Sequence, residues 1–174
     1  MLKTIAFILA AIVAAVLLYA ASKPDTFHVQ RSISIKAPPE KIFVLIEDFH
    51  SWHEWTPYNK DPAMKHSYTG SESGKGASYA WQGNHEVGSG AMMISDTVPY
   101  RHITLELHLI APFEARNVVH FNLRALGDET EVTWDMDGAS PLMAKLVDVF
   151  MDMDKAIGKD FELGLAQLKV LAEK

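Results

Sequence analysis

Apolar and polar side chains alternate along residues 27–35, with Phe27, Val29, Ile33 and Ile35 separated by His28, Gln30, Ser32 and Ser34. A period of two is the signature of a half-buried strand. Ala37-Pro38-Pro39-Glu40 ends that strand and opens a helix, because proline suits a first helical turn. Ile42, Phe43, Ile46 and Phe49 then recur at helical spacing, and a second short helix is predicted over residues 51–55, stopping at Pro57. Six further strands are predicted over 65–69, 77–81, 86–96, 102–110, 115–125 and 131–137. Gly83-Asn84, Val98-Pro99-Tyr100, Ala111-Pro112 and Gly127-Asp128-Glu129 supply turns between them. With short turns and no helix between these strands, consecutive antiparallel pairing is the economical topology.

The end of the chain is helical. Met143, Leu146, Phe150, Met153, Ile157, Phe161, Leu165, Leu168 and Ala172 form one apolar stripe from Pro141 onward, with Asp148, Asp152, Lys155, Lys159 and Lys169 on other faces. At ~1.5 Å per residue such a helix would approach 50 Å, longer than a small domain is wide. A break is therefore predicted near residues 153–158, where Gly158 weakens the helix. The pattern implies an α+β domain in which a curved seven-stranded antiparallel sheet grips a long C-terminal helix. An oily hollow is expected between them, the kind of space that takes a small molecule.

The start of the chain has a different pattern. Residues 5–21 carry no charged side chain, and Lys3 and Lys23 bracket them. A spanning helix needs about 20 apolar residues, whereas a signal peptide has an apolar region of about 7–15. Length favours a transmembrane anchor over residues 1–24 ahead of a domain over 25–174, although Ala20-Ala21-Ser22 leaves cleavage as an alternative. The short tail with Lys3 favours a cytoplasmic N-terminus, while Lys23, Arg31, Lys36 and Lys41 pull the other way. The expected location is a bacterium-type inner or plasma membrane, crossed once, with the domain on the non-cytoplasmic side.

Composition narrows the chemistry. Apolar residues make up 48% and charged residues 22%, enough apolar material for a real core. A net charge of −6 without a basic cluster argues against nucleic acid. Absence of cysteine removes disulfides, thiolate metal sites and a thiol nucleophile. His50 and His53 share a helical spacing beside Glu54, but no third ligand stands at a recognisable interval. Neither a metal nor another cofactor is expected, and composition leaves the question of a protein partner open. No nucleophile triad, phosphate loop or dinucleotide fingerprint occurs.

The segment Arg31-Ser-Ile-Ser-Ile-Lys-Ala-Pro-Pro-Glu-Lys-Ile-Phe resembles the opening of the SRPBCC superfamily. This is the START-like, helix-grip group that contains polyketide cyclase/dehydrase-type proteins. Asp48-Phe-His-Ser-Trp-His-Glu-Trp-Thr-Pro, Asp61-Pro-Ala-Met-Lys, Gly74-Lys-Gly-Ala-Ser-Tyr-Ala-Trp and Gly158-Lys-Asp-Phe-Glu-Leu-Gly-Leu-Ala-Gln-Leu-Lys are similar to later parts of it. The resemblance runs from Phe27 to Glu173 and implies the helix-grip fold with an apolar ligand cavity. It carries no reaction, because members differ in what they do.

Twelve residues are expected to line that cavity. Trp55, Tyr79, Trp81, Phe113, Phe121 and Phe161 supply aromatic surface. Met92, Met136, Met143, Phe150 and Ile157 supply adaptable apolar surface, and Arg116 is the candidate partner for an acidic head group. Arg31 alternates in phase with Val29 and Ile33, so it is expected to point inward and to need an acidic partner. The leading expectation is binding of a hydrophobic small molecule or lipid beside the membrane. A cyclase/dehydrase-type enzyme using Glu86 or Glu114 with Tyr79 is the alternative, and a protein-interaction module built on Trp52 and Trp55 is the second.

Overall fold

Strand β1 (Thr26–Ile35) buries Val29 and Ile35, half-buries Phe27, Arg31 and Ile33, and exposes the residues between them. The computed structural model describes residues 2–174. A helix α1 (Leu2–Ser22) precedes β1, and α2 (Pro39–Glu47) with a 3-10 helix (Phe49–Glu54) follows it. Then come β2 (Lys65–Gly70), β3 (Ala77–Gln82), β4 (Ser89–Val98), β5 (His102–Ala111), β6 (Ala115–Leu126) and β7 (Glu129–Ala139). Helices α3 (Leu142–Phe150) and α4 (Met153–Ala172) complete the chain. The strands form one antiparallel sheet in the order β1-β7-β6-β5-β4-β3-β2, so sequential hairpins do most of the pairing and only β1–β7 is non-local.

This is the α+β helix-grip architecture expected from the pattern, with three local corrections. The strand predicted from residue 86 starts at Ser89, because Asn84 to Gly88 closes a turn: the Asn84 Oδ1 accepts the Glu86 N–H at 2.9 Å and Gly88 adopts φ 62°. The last strand begins at Glu129, since Leu126 pairs with Glu129 across a tight turn whose Gly127 has φ 68°. The C-terminal helix is two helices, and its break lies at Met151-Asp152, just ahead of the predicted 153–158 span. Asp152 caps α4 by accepting the Lys155 N–H at 2.9 Å, and the Asp148 carboxylate takes the Met153 N–H at 3.0 Å.

Gly158 has another role. Its missing side chain leaves room for the Arg31 guanidinium, which crosses α4 there and pairs with Asp154 at 3.0 Å and Glu162 at 2.8 Å. The inward arginine thus finds its acidic partners on the helix that covers it. Helix α4 lies mainly along β1, α2 touches α4 and β6, and the 3-10 helix touches β3. Phe161, Leu165, Leu168 and Ala172 of α4 are buried against the inner face of the sheet.

Helix α1 is long and apolar enough to cross a membrane, and nearly all of it is exposed. Its last turns pack on α3, where Ala20 is fully buried. Lys23, just beyond it, pairs with Asp148 at 2.6 Å, and Lys145 pairs with Asp25 at 2.6 Å.

Candidate functional site

Strand register arranges the inner face in rows that run across the sheet. One row holds Arg31, Trp134, Phe121 and Ile103; the next holds Val29, Met136, Val119, Leu105 and Ile94. Apart from Arg31, both rows are buried. Trp134 stacks on Phe161 of α4 with centroids 4.2 Å apart, and Trp55 and Phe121 pack edge-on or tilted around the pair. The Trp52 and Trp55 N–H groups donate to the Ile46 and Leu45 carbonyls at 2.8 and 3.1 Å, which ties the 3-10 helix to α2. These aromatics are core.

The following row, nearer the end where β1 begins, holds Phe27, Gly138, Asn117, Leu107, Met92 and Tyr79, and beyond it stand Leu109, Gly90 and Trp81. Its apolar and aromatic members are only half-buried. The inner face therefore grades from packed core into an apolar strip at its α1 end, a trough in that its side chains are only half-covered. The Trp81 ring covers Gly90, where any Cβ would collide with it, and its N–H donates to the Val87 carbonyl at 3.1 Å.

Two polar atoms on this face stand out. Asn117 Oδ1 and Trp134 Nε1 are buried and have no hydrogen-bond partner among the described residues. Leaving such a group unpaired costs about 1–3 kcal/mol. Asn117 lies beside Gly138 and the Phe27 ring, inside the trough end of the sheet. At the opposite wall, the Tyr79 hydroxyl meets His66 Nδ1 at 2.8 Å; burial, then the neighbouring Tyr68, pushes its pKa up to about 12. It remains a protonated donor at neutral pH.

Where α4 meets the sheet, the oily hollow expected between them is filled by the Trp134, Phe121 and Phe161 rings. Two open hollows lie elsewhere. One, of about 220 Å3, sits largely on the outer face around Ser78, Ala80, Ala91, Glu106 and His108; the other, of about 350 Å3, lies between Glu54 and the last turns of α4. Of the twelve residues named from the sequence, Trp55, Phe121, Met136 and Phe161 are core, and Tyr79, Trp81, Met92 and Ile157 are half-buried. Phe113, Met143 and Phe150 are exposed. Arg116 is exposed on the outer face across from His108, because alternation sends Asn117 inward. Asn117, Phe27, Leu107 and Leu109 stand outside those twelve; alternation along β6 sets Asn117 opposite Glu114 and Arg116, and only the pairing with β5 and β7 shows that its face is the inner one.

The polar outer face gathers other chemistry. His50 and His53 do not converge: His50 bonds Asp48 at 2.8 Å and stacks on Tyr68, while the His53 ring N–H donates to the His50 carbonyl. Instead His28, Asp135 and Asp137 bring their ligand atoms within 4.8 Å of one another across β1 and β7, a juxtaposition that only the non-local register creates. The Asp137 carboxylate bonded to His28 at 2.9 Å raises the imidazole pKa. A raised folded pKa means the pair stabilises the protein fully below the ordinary histidine value of about 6.5 and loses that contribution as pH rises through the folded value. An NMR titration should place His28 above that value, and Asp137→Asn should lower it; an unchanged midpoint in the variant would show that the pair is not formed in solution.

The sequence pattern described as polyketide cyclase / dehydrase and lipid transport matches residues 26–173. Solved structures share the fold at low identity. Protein CV1439 from Chromobacterium violaceum superposes with a TM-score of 0.61 at 15% identity, covering 87% of this chain and 99% of its own. The Aha1 dimer protein from Colwellia psychrerythraea gives 0.60 at 17%, covering 84% and 96%. CalU16 from Micromonospora echinospora gives 0.55 at 16%, covering 86% and 84%. Comparison with curated proteins returns no match.

Proposed function

The chain belongs to the polyketide cyclase / dehydrase and lipid transport family, and from that premise we propose that it binds an apolar small molecule or lipid in the trough at the α1 end of its sheet. The observation that carries this reading is the half-buried apolar row around Asn117, whose side-chain oxygen is buried and unpaired. A ligand hydroxyl or amide would satisfy that oxygen, while Phe27, Leu107, Met92 and Trp81 take the apolar body. The Tyr79 hydroxyl offers a donor to a second polar group. Helix α1 is the anchor, with the domain on the non-cytoplasmic side, and it holds the trough where apolar ligands concentrate.

Binding without conversion is favoured over a cyclase-type reaction. Glu86 and Glu114 are exposed and stand off the inner face, and Glu114 is engaged with His108 at 3.1 Å on the outer side. Among the described residues, the inner-face row of the trough offers Tyr79, with His66 beside it, and no carboxylate.

Organic extraction and mass spectrometry of the full-length protein purified from its own membrane should yield one reproducible apolar compound. It should exceed the level carried by an unrelated single-span protein prepared in parallel. Leu107→Trp, which fills the trough at a half-buried position, should cut that compound several-fold with little change in thermal midpoint. Equal yields from the protein, its variant and the unrelated control would overturn the reading.

A further inference from the structure

Helix α3 lacks the polar outer face of a helix on a soluble domain, and its two charges lie on the covered side beside half-buried Leu146 and Val149. A soluble domain's surface helix turns its apolar stripe to the core and its charges to water. Here Lys145, only 6% exposed, and the half-buried Asp148 face inward, where they pair with Asp25 and Lys23 at the end of α1. The outward face is apolar: Met143 and Phe150 are 70% and 80% exposed, with Leu142, Val147 and Met151 beside them. Phe113, 81% exposed, caps the β5–β6 turn, and register puts that turn at the same end of the sheet, where β1 starts and β7 stops.

We infer that this apolar face of α3, together with Phe113, rests in the headgroup–acyl boundary of the bilayer that α1 crosses, so that the domain docks with its trough end against the lipid. The inference rests on reading α1 as a membrane span. The 21 residues of α1 cover roughly 30 Å at ~1.5 Å each, the thickness of a hydrocarbon core. Its end at Ser22 therefore brings Lys23 to headgroup level. Lys23 bonds both the Asp148 carboxylate at 2.6 Å and the Asp148 carbonyl at 3.2 Å, so α3 is held at that level too. Tyr19, exposed one turn before the end of α1, is the amphipathic ring expected there. A helix lying in the interface buries its apolar face in lipid and needs no protein partner for it. The consequence for function is direct: a ligand entering the trough passes from lipid without crossing water.

The chain has no cysteine, so single spin labels can be placed at will. Phe150→Cys, Phe113→Cys, Leu9→Cys and Asp128→Cys are labelled in the full-length protein, reconstituted in vesicles of phosphatidylcholine with a minor share of phosphatidylglycerol. Accessibility to oxygen against a water-soluble nickel complex is then read for each. Labels at 150 and 113 should show a ratio several-fold above that at 128, which lies in the β6–β7 turn at the opposite end, and below that at 9. Water-like labels at 150 and 113 with a lipid-embedded label at 9 overturn the docking alone. Water-like labels at all four overturn it together with the anchor. Spin–spin broadening between molecules at 150 that persists at high lipid excess overturns it in favour of a second copy of the chain.

Discussion

Replacing Trp134 by alanine is expected to destabilise the protein by about 3–5 kcal/mol, the usual cost of emptying a large aromatic site in a core. The ring is 3% exposed, stacks on Phe161 at 4.2 Å with the planes 10° apart, and also meets Phe121 at 4.9 Å and Trp55 at 5.7 Å. Collapse into the vacated volume is hindered because the ring's neighbours come from β6, α4 and the end of the 3-10 helix, each held by its own bonds. Thermal unfolding of the full-length protein in detergent, followed by circular dichroism, should show a midpoint lowered by roughly 6–20 °C for a domain of this size. Trp81→Ala is the control: its ring is half-buried at the edge of the trough, and its loss should be distinctly smaller. Equal losses from the two variants would contradict the burial gradient from packed core to trough.

That gradient separates what could be read along the chain from what could not. The β1, β5, β6 and β7 segments alternate cleanly, so their existence, and the inward phase of Arg31, follow from residue order alone. The turns at Gly127-Asp128 and Val98-Pro99-Tyr100 made sequential hairpins the economical choice. Which rows of the inner face are covered depends on where α4 and α2 land, and no local pattern carries that. Trp55 and Trp81 look alike in sequence, yet one is core and the other borders the trough. The stripe from Met143 to Ala172 misled for a physical reason. A helix break resets rotation, so the cap at Asp152 lets Met143 and Phe150 turn outward while Phe161, Leu165 and Leu168 turn in. The outer-face grouping of His28 with Asp135 and Asp137 depends on the β1–β7 pairing, more than a hundred residues apart in the chain.

Gly158→Leu is the sharper test of how α4 is seated. In an unobstructed helix interior, glycine is about 0.8–1 kcal/mol worse than alanine and leucine ranks close behind alanine, so propensity alone predicts a gain. The structure predicts a loss of about 1–3 kcal/mol, because a side chain at 158 would occupy the space of the Arg31 guanidinium and force α4 away from β1. Arg31→Ala by itself should cost little, since Asp154 and Glu162 are 58% and 62% exposed and return to water readily. The double variant should then be more stable than the sum of the two losses, with a coupling of about 1 kcal/mol or more, since the leucine enters the volume the arginine leaves. Urea titrations of the four proteins give the cycle directly. If Gly158→Leu costs the same with and without Arg31, the crossing of that side chain is not what requires glycine, and the seat of α4 on β1 must be set by the buried Phe161, Leu165 and Leu168 face alone.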